Sequence, residues 1–170
     1  VSIQQFYGIE INDFAVAVAK TAIWIAEAQM FKETESIIHK EMDFLPLHNN
    51  ANIHEGNSLN MDWEEIIKSN TLSYIMGNPP FVGAKMMNKQ QKAEVLSLFN
   101  KNSSAKSLDY VAAWYKKSAE YMKETNIHSA FVSTNSITQG EQVPILWEAL
   151  MQEGIIINFA YKSFIWDSEA

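Results

Sequence analysis

The residues with the clearest chemical potential are Asn78-Pro79-Pro80-Phe81, which follow the apolar run LSYIM at residues 72–76. Asn78 brings a side-chain carbonyl acceptor, and the two prolines make the neighbouring backbone rigid. Two fixed acceptors that hold both hydrogens of a conjugated amine would let its nitrogen approach tetrahedral geometry and expose its lone pair to an electrophile. Phe81 would stack on the ring that carries this amine. The alternative is a simple turn that ends a strand, because proline pairs are common in turns.

Strands and helices must position this tetrapeptide, and the sequence predicts that they alternate. Apolar and β-favouring runs predict strands over residues 6–11, 52–55, 72–76, 129–133, 155–161 and 163–166. Helical spacing predicts helices over residues 14–31, 88–99, 108–122 and 143–152, with a loop inside 32–51 marked by Pro46 and Asn49-Asn50. The pattern predicts one α/β domain over residues 1–170, with a mainly parallel sheet covered on both faces.

Polar residues follow the predicted strands at their carboxyl ends, where parallel sheets bind ligands. These residues are Glu10, Asn57 with Ser58, Asn78 and Asn135. A strand-terminal carboxylate such as that of Glu10 can accept hydrogen bonds from two vicinal ribose hydroxyls. The alternative for Glu10 is a solvated carboxylate in a tight turn.

Composition excludes several classes of function. The chain has no Cys, which excludes thiol catalysis, disulfides and thiolate metal cages, and its four His residues lack metal-ligand spacing. We expect the apolar stretches to be interrupted before the ~18 residues of a membrane span, so we expect no membrane partner. The helix over residues 14–31 is apolar on most of its circumference, which predicts burial under neighbouring elements.

Charge is unevenly distributed along the chain. The formal net charge is −7, but residues 81–123 contain eight Lys against three acidic residues, a local balance of +5. All thirteen basic residues are Lys, so the guanidinium fork that most often reads guanine is missing. The basic stretch predicts either a phosphate-binding surface or an ordinary solvated helix surface, formed by Lys85, Lys89, Lys92, Lys101, Lys106, Lys116, Lys117 and Lys123.

The tetrapeptide after an apolar strand resembles motif IV of the S-adenosylmethionine-dependent amino-methyltransferases, in particular the DNA adenine-N6 enzymes of the fused restriction–modification type. Other segments resemble the remaining motifs in the expected order. FYGIEI is similar to motif II, EGNSLNMDW to motif III, SLDYVAAWYKKSAEYM to motif V, SAFVSTNSI to motif VI and NFAYKSFIWDSEA to the region of motifs VII and VIII. The resemblance implies a three-layer, Rossmann-like methyltransferase sheet.

The resemblance also implies which residues bind the cofactor, S-adenosylmethionine. Glu10 would bind its ribose hydroxyls, and Ile11 would pack on its adenine. Asn57 would accept a hydrogen bond from the adenine amine, at a position where many relatives have Asp. Ser58 and Leu59 would line the edge of the same ring.

The same resemblance implies that the intact enzyme methylates the N6 amine of an adenine flipped out of double-stranded DNA. Asn78 and the Pro79 carbonyl would hold the amine, with Pro80 as part of the rigid loop, and Phe81 would stack on the ring. Phe164 would also stack on the flipped base, and nearby phosphates would be contacted by Lys85, Lys89 and Lys92. We expect a cytoplasmic enzyme of a bacterium or archaeon, with no metal.

The glycine-rich motif I of this family has no counterpart here, because the six glycines are dispersed at positions 8, 56, 77, 83, 140 and 154. We therefore expect an internal piece of a longer protein, with a sheet that lacks its central strand. Without the glycine loop, we expect this piece to bind S-adenosylmethionine weakly or not at all and to be inactive alone. Two other functions stay open: an RNA-base or protein-glutamine methyltransferase of the same fold, and a non-catalytic α/β domain.

Overall fold

The computed structural model describes residues 2–39 and 51–164 of the chain. Strands and helices alternate along these residues, so the predicted α/β class is confirmed. The strands are β1 (Tyr7–Glu10), β2 (Asn52–Glu55), β3 (Tyr74–Gly77) and β4 (His128–Phe131). The α-helices are α1 (Asp13–Ile38), α2 (Trp63–Ile66), α3 (Lys89–Leu98), α4 (Ala112–Met122) and α5 (Gln142–Gln152).

The described strands form two sheets of two strands, and both pairs are parallel. In the first pair, Glu10 of β1 lies opposite Glu55 of β2. In the second pair, Gly77 of β3 lies opposite Phe131 of β4. The chain divides into two compact units, unit 1 (Val1–Ile67) and unit 2 (Lys68–Ala170), and one domain over residues 1–170 stays a prediction. Each unit therefore has its own pair of strand ends, the position at which parallel sheets bind ligands.

Helix α1 of unit 1 is longer than its sequence predicts. Asn12 begins it, because the side-chain oxygen of Asn12 accepts a hydrogen bond from the N–H of Ala15 at 3.0 Å. The helix continues to Ile38 instead of ending near residue 31, since its second half contains neither glycine nor proline. His39 ends it in the left-handed conformation that commonly closes helices.

The predicted burial of α1 is wrong. Among the described residues of this helix, Val16 is the buried one, and Phe14 is 75% exposed. The helix packs on β1, β2 and the turn at Ile3–Gln5. These short elements leave most of its apolar circumference uncovered.

Helix α1 is also the one helix among residues 2–39 and 51–164 that is long and apolar enough to cross a membrane. It has 26 residues, and its most apolar window has a mean hydropathy of 1.3 with 6% of that window buried. The expectation that apolar stretches fall short of spanning length is therefore wrong for this segment. Helices that other parts of a protein cover have the same length and hydropathy, so these properties alone do not indicate a membrane span.

Unit 2 has a well-buried core. Helix α3 packs on α4, and α4 packs on α5. Asn88 caps α3 through a 2.9 Å hydrogen bond from the N–H of Gln91, and Gly154, at a φ of 84°, follows the end of α5. The largest fully buried side chains all belong to this unit: Val95, Leu108, Val111, Leu146 and Leu150. Helix α4 also packs on β4, the strand that pairs with β3.

Residues 155–161 do not form the strand that their apolar sequence predicts. No residue from 155 to 164 has strand structure, and Ile156 and Phe159 are 78% and 79% exposed. A strand requires hydrogen bonds to a neighbour, and no strand in the described part of the chain pairs with this segment. The predicted loop at Pro46 and the second half of the predicted strand over 163–166 lie outside the described residues.

Candidate functional site

The tetrapeptide at residues 78–81, which we name the proline corner, begins where β3 ends. The carbonyl of Gly77 accepts a hydrogen bond from the N–H of Val132 at 3.1 Å, as the last contact before the corner. A methyl group added at Gly77 would lie 3.1 Å from the ring of Phe131, so the two strands approach closely here. Proline has no N–H and cannot continue the ladder. One residue of the corner, Pro79, is buried between the exposed residues Asn78, Pro80 and Phe81.

The proline corner presents two open hydrogen-bond acceptors. Within residues 68–164, neither the Asn78 side chain nor the Pro79 carbonyl has a hydrogen-bond partner. The next carbonyl, that of Pro80, accepts from the N–H of Val82 at 3.1 Å and is already occupied. Phe81 follows them with 45% of its surface exposed. Two acceptors beside an accessible ring match the requirements for binding an aromatic amine.

The segment after the proline corner is held by the residues before α4. The N–H of Tyr110 donates to the carbonyl of Val82 at 2.9 Å, and the N–H of Ala84 donates to Oδ1 of Asp109 at 2.8 Å. Sequence reasoning gave Asp109 no role beyond its place in a motif. The available signal in the sequence was an acidic residue between a leucine and a tyrosine. The structure shows that Leu108 and Tyr110 are both buried.

Glu10 lies at the end of β1 in unit 1, as predicted, and is partly buried. Its carbonyl accepts from the N–H of Gly56 at 2.9 Å. Its Oε1 accepts from the N–H of Asn12 at 3.1 Å, so the carboxylate also supports the turn before α1. Ile11 is 68% exposed and presents an accessible apolar side chain beside that carboxylate.

Asn57 follows β2 and holds a local turn. Its Oδ1 accepts from the N–H of Leu59 at 2.9 Å, and its main-chain carbonyl accepts from the N–H of Asn60 at 2.9 Å. The carbonyl of Ser58 accepts from Nε1 of Trp63 at 2.9 Å. Leu59 is buried, whereas Asn57 and Ser58 are partly exposed. A ligand at this turn would therefore meet mainly Asn57 and Ser58.

The predicted site residues thus fall into two groups. Glu10 ends β1, Ile11 follows it, and residues 57–59 lie after β2, all in unit 1; these strands are hydrogen-bonded neighbours. The proline corner and Phe164 belong to unit 2, and Phe164 is 59% exposed.

Three predicted phosphate contacts lie on the surface after the proline corner. Lys85 is in the loop before α3, while Lys89 and Lys92 are in its first turn, and all three are exposed. Such exposed lysines keep their ammonium groups available for phosphates. They carry the part of the predicted basic surface that lies nearest the corner in sequence.

Lys116 does not belong to that surface, so this part of the prediction is wrong. Its side chain is buried in unit 2 and lies 3.0 Å from Glu120 and 3.0 Å from Glu153. Burial disfavours its charged form, but the hydrogen bonds that it donates to Glu153 and Glu120 outweigh burial and raise the pKa of Lys116. Lys123 also lies 3.6 Å from Glu153. These charges join α4 to the end of α5.

Two tyrosines of α4 and its approach have raised pKa values for structural reasons. Burial raises the pKa of Tyr110, and the hydrogen bond from its hydroxyl to Glu94 raises it further. Burial also raises the pKa of Tyr115, while its hydrogen bond with Ser133 lowers it. Neither phenol is a base at neutral pH. The described residues also contain no group of three His, Asp or Glu placed to hold a metal ion.

Parallel strand pairs with polar turns at their carboxyl ends, alternating with helices, define a Rossmann-like α/β domain. The chain belongs to the family described as MmeI, DNA-methyltransferase domain, whose model matches residues 1–170. The predicted resemblance to DNA methyltransferases of the fused restriction–modification type is thereby confirmed.

Two relatives show how much of a longer protein this chain represents. The whole chain aligns with DNA methyltransferase A of Bacillus subtilis (strain 168) at 48% identity over 173 residues, which is 20% of that protein. It also superposes on the structure of the Type IIL restriction–modification enzyme MmeI in complex with DNA, with a TM-score of 0.94 and 43% identity. That match covers all of this chain and 23% of the MmeI chain. The chain therefore spans about a fifth of the length of these relatives.

Proposed function

We propose that the protein containing this chain transfers a methyl group from S-adenosylmethionine to the N6 amine of an adenine flipped out of double-stranded DNA. The proposal places this activity in a fused restriction–modification enzyme. The observation that carries it is the proline corner, where two unpartnered acceptors and an accessible aromatic ring follow β3. Family membership supplies the class of reaction, and the corner supplies the amine-binding groups.

The proline corner acts on the amine of the base. Oδ1 of Asn78 and the carbonyl of Pro79 accept its two hydrogens, which draws the nitrogen lone pair out of the ring. Phe81 stacks on the base and fixes its plane. The amine proton becomes acidic as the nitrogen gains its new carbon, so it leaves to water without a strong base. The chemistry therefore depends on orientation, and this suits rigid prolines.

The cofactor would be held by the strand ends of unit 1. S-adenosylmethionine, when bound, supplies a methyl group on a positively charged sulfur. The partly exposed carboxylate of Glu10 and the exposed side chain of Ile11 fit a ribose and an adenine, respectively. Asn57 fits less simply, because its Oδ1 already accepts a hydrogen bond from the N–H of Leu59.

We also propose that this chain alone binds S-adenosylmethionine weakly or not at all, because the dispersed glycines provide no loop for its methionine end. Calorimetric titration of the chain tests this, and low-micromolar affinity would contradict it. Double-stranded DNA is the proposed partner, contacted through phosphates by Lys85, Lys89 and Lys92, with Phe164 as a second stacking ring. The proposed location is the cytoplasm of a bacterium or archaeon.

The decisive experiment measures methyl transfer by the intact protein. Labelled S-adenosylmethionine is supplied with plasmid DNA, RNA or total protein, and the labelled base or residue is identified. We expect label on adenine N6 in DNA. Label on RNA bases or glutamine amides would show that RNA or protein, and not DNA, is the substrate. Absence of label from all three would indicate a non-catalytic domain.

A matched pair of variants then tests the proline corner. Asn78→Ala should lower the methylation rate by at least about 10²-fold, the scale of losing one preorganised acceptor. Asn126→Ala removes another exposed amide, from the loop before β4, and should leave the rate unchanged. A rate for Asn78→Ala within a few-fold of the Asn126→Ala rate would refute the role of Asn78.

A further inference from the structure

We propose that Asp109 is a positioning residue that fixes the proline corner for methyl transfer. The inference rests on the proposed function of that corner. It starts from one juxtaposition: the Asp109 carboxylate accepts a hydrogen bond from the backbone of the segment that leaves the corner.

The proline corner is fixed at both of its ends. On the side of β3, the Gly77 carbonyl accepts from the N–H of Val132 at 3.1 Å. On the other side, Val82 accepts from the N–H of Tyr110 at 2.9 Å, and Ala84 donates to Oδ1 of Asp109 at 2.8 Å. Four residues separate Gly77 from Val82, and proline fixes φ at two of them. The backbone between the two ends therefore has few remaining degrees of freedom.

Asp109 is itself held by Ser136 and Gln142. Its Oδ2 accepts from the hydroxyl of Ser136, in the 3₁₀ turn Asn135–Thr138 after β4. Its main-chain N–H donates to Oε1 of Gln142 at 2.9 Å, at the start of α5. The Ser136 hydroxyl also contacts Oγ1 of Thr134 at 2.6 Å. The carboxylate thus connects the loops that follow β3 and β4, and the main-chain N–H of Asp109 joins them to the beginning of α5.

The geometry assigns Asp109 a supporting role and not a chemical one. Each of its carboxylate oxygens is already engaged with a group of the protein, Oδ1 with Ala84 and Oδ2 with Ser136. Its removal would free the N–H of Ala84 and loosen the segment directly after Phe81. Displacement of reacting groups by about 1 Å can lower a rate by ~10²-fold. We therefore expect the effect to fall on kcat.

The test compares Asp109→Ala with Asp109→Asn in the intact methyltransferase. We expect Asp109→Ala to lower kcat by about 10- to 100-fold, while KM for S-adenosylmethionine and for DNA changes by less than about 3-fold. Asn keeps an oxygen for the Ala84 N–H, and its amide nitrogen can donate to Ser136. Asp109→Asn should therefore restore kcat to within about 5-fold of the natural enzyme.

Two further variants separate positioning from general destabilisation. Glu153→Gln weakens the ion pairs of Lys116 at the end of α5 and should lower thermal stability without changing kcat. Ser136→Ala removes one of the two carboxylate contacts and should lower kcat by about 2- to 5-fold. The Ser136→Ala result keeps the inference testable if Asp109→Ala does not fold.

The outcomes are distinguishable. An unmodified enzyme that does not methylate adenine refutes the proposed function. If the unmodified enzyme methylates adenine and Asp109→Ala keeps full kcat, only the positioning role is refuted. If Asp109→Ala does not fold, full kcat in Ser136→Ala refutes the positioning role in the same way. Asp109→Asn as impaired as Asp109→Ala would also refute it, because charge and not hydrogen-bond geometry would then be required.

Discussion

The two units of this chain hold their candidate site residues in different ways. In unit 2, the residue after β4, the residues before α4 and the start of α5 contact either the segments on both sides of the proline corner or Asp109, which supports it. In unit 1, the turn at Asn57 is held by bonds within a few residues of sequence. The comparison indicates that unit 2 is stabilised by its own core, whereas unit 1 exposes an apolar helix. Substitutions should therefore cost more stability in unit 2.

The largest loss of stability is expected from substitution of Leu108, which is fully buried in unit 2. Leu108→Ala should lower the free energy of unfolding by about 2–5 kcal/mol, because it removes packed methyl groups and leaves a cavity. Chemical denaturation, followed by the fluorescence of the tryptophans, measures this loss. A loss below about 1 kcal/mol would show that the core of unit 2 is not close-packed.

A smaller effect is expected at Lys116, whose ion pairs join two helices of the same unit. Lys116→Ala should cost about 1–3 kcal/mol, through lost hydrogen bonds and lost packing of its stem. The hydrogen bond from Lys116 lowers the pKa of Glu153 below its ordinary value of 4.5. The stability from this pair is therefore present above pH 4.5 and is lost as the pH falls through the lowered pKa.

The matched variants for this pH dependence are Glu153→Gln and Glu148→Gln, which lie near each other at the end of α5. Urea denaturation between pH 3 and pH 7 should show the stability difference between natural protein and Glu153→Gln shrinking below about pH 4.5. Glu148→Gln removes a carboxylate that makes no ion pair with Lys116 and serves as the matched control. Equal behaviour of the two variants would contradict the role of the Lys116 pair.

The smallest effect is expected in unit 1. Phe14→Ala should change the free energy of unfolding of this chain by less than about 0.5 kcal/mol, because the ring of Phe14 is mostly exposed. The same denaturation experiment measures it. A cost above about 2 kcal/mol would contradict the comparison, because it would show that the ring of Phe14 is packed.

Local sequence signals predicted most of the fold. Asn88 marked the start of α3, residues 52–55 gave β2, and the prolines at 79 and 80 marked the end of β3. These signals act through neighbouring backbone groups, so a single sequence carries them. Residues 155–161 were predicted wrongly, because apolar character favours a strand but cannot supply the neighbour that a strand must pair with. The exposure of α1 was missed for a similar reason, because its apolar sequence favours burial but does not show whether neighbouring elements cover it.

The candidate site was partly predictable. Residue types at strand ends and the family motifs both identified the proline corner and Glu10, and in the structure the corner directly follows β3 while Glu10 is the last residue of β1. Asp109 was missed, because its partners Ala84 and Ser136 are 25 and 27 residues away in sequence. The burial of Lys116 was missed as well, since its partner Glu153 is 37 residues away. Contacts of this range depend on packing that a charge count does not contain.

The close approach at Gly77 has a consequence for how this sequence can vary. Any side chain at position 77 would contact the ring of Phe131 too closely, so substitution of this glycine is limited by the space between two strands. Under the proposed function, substitution of Asn78, which is exposed, is limited by chemistry alone. Descendants that lose the proposed methylation but still fold should therefore retain the glycine long after the adjacent asparagine has changed.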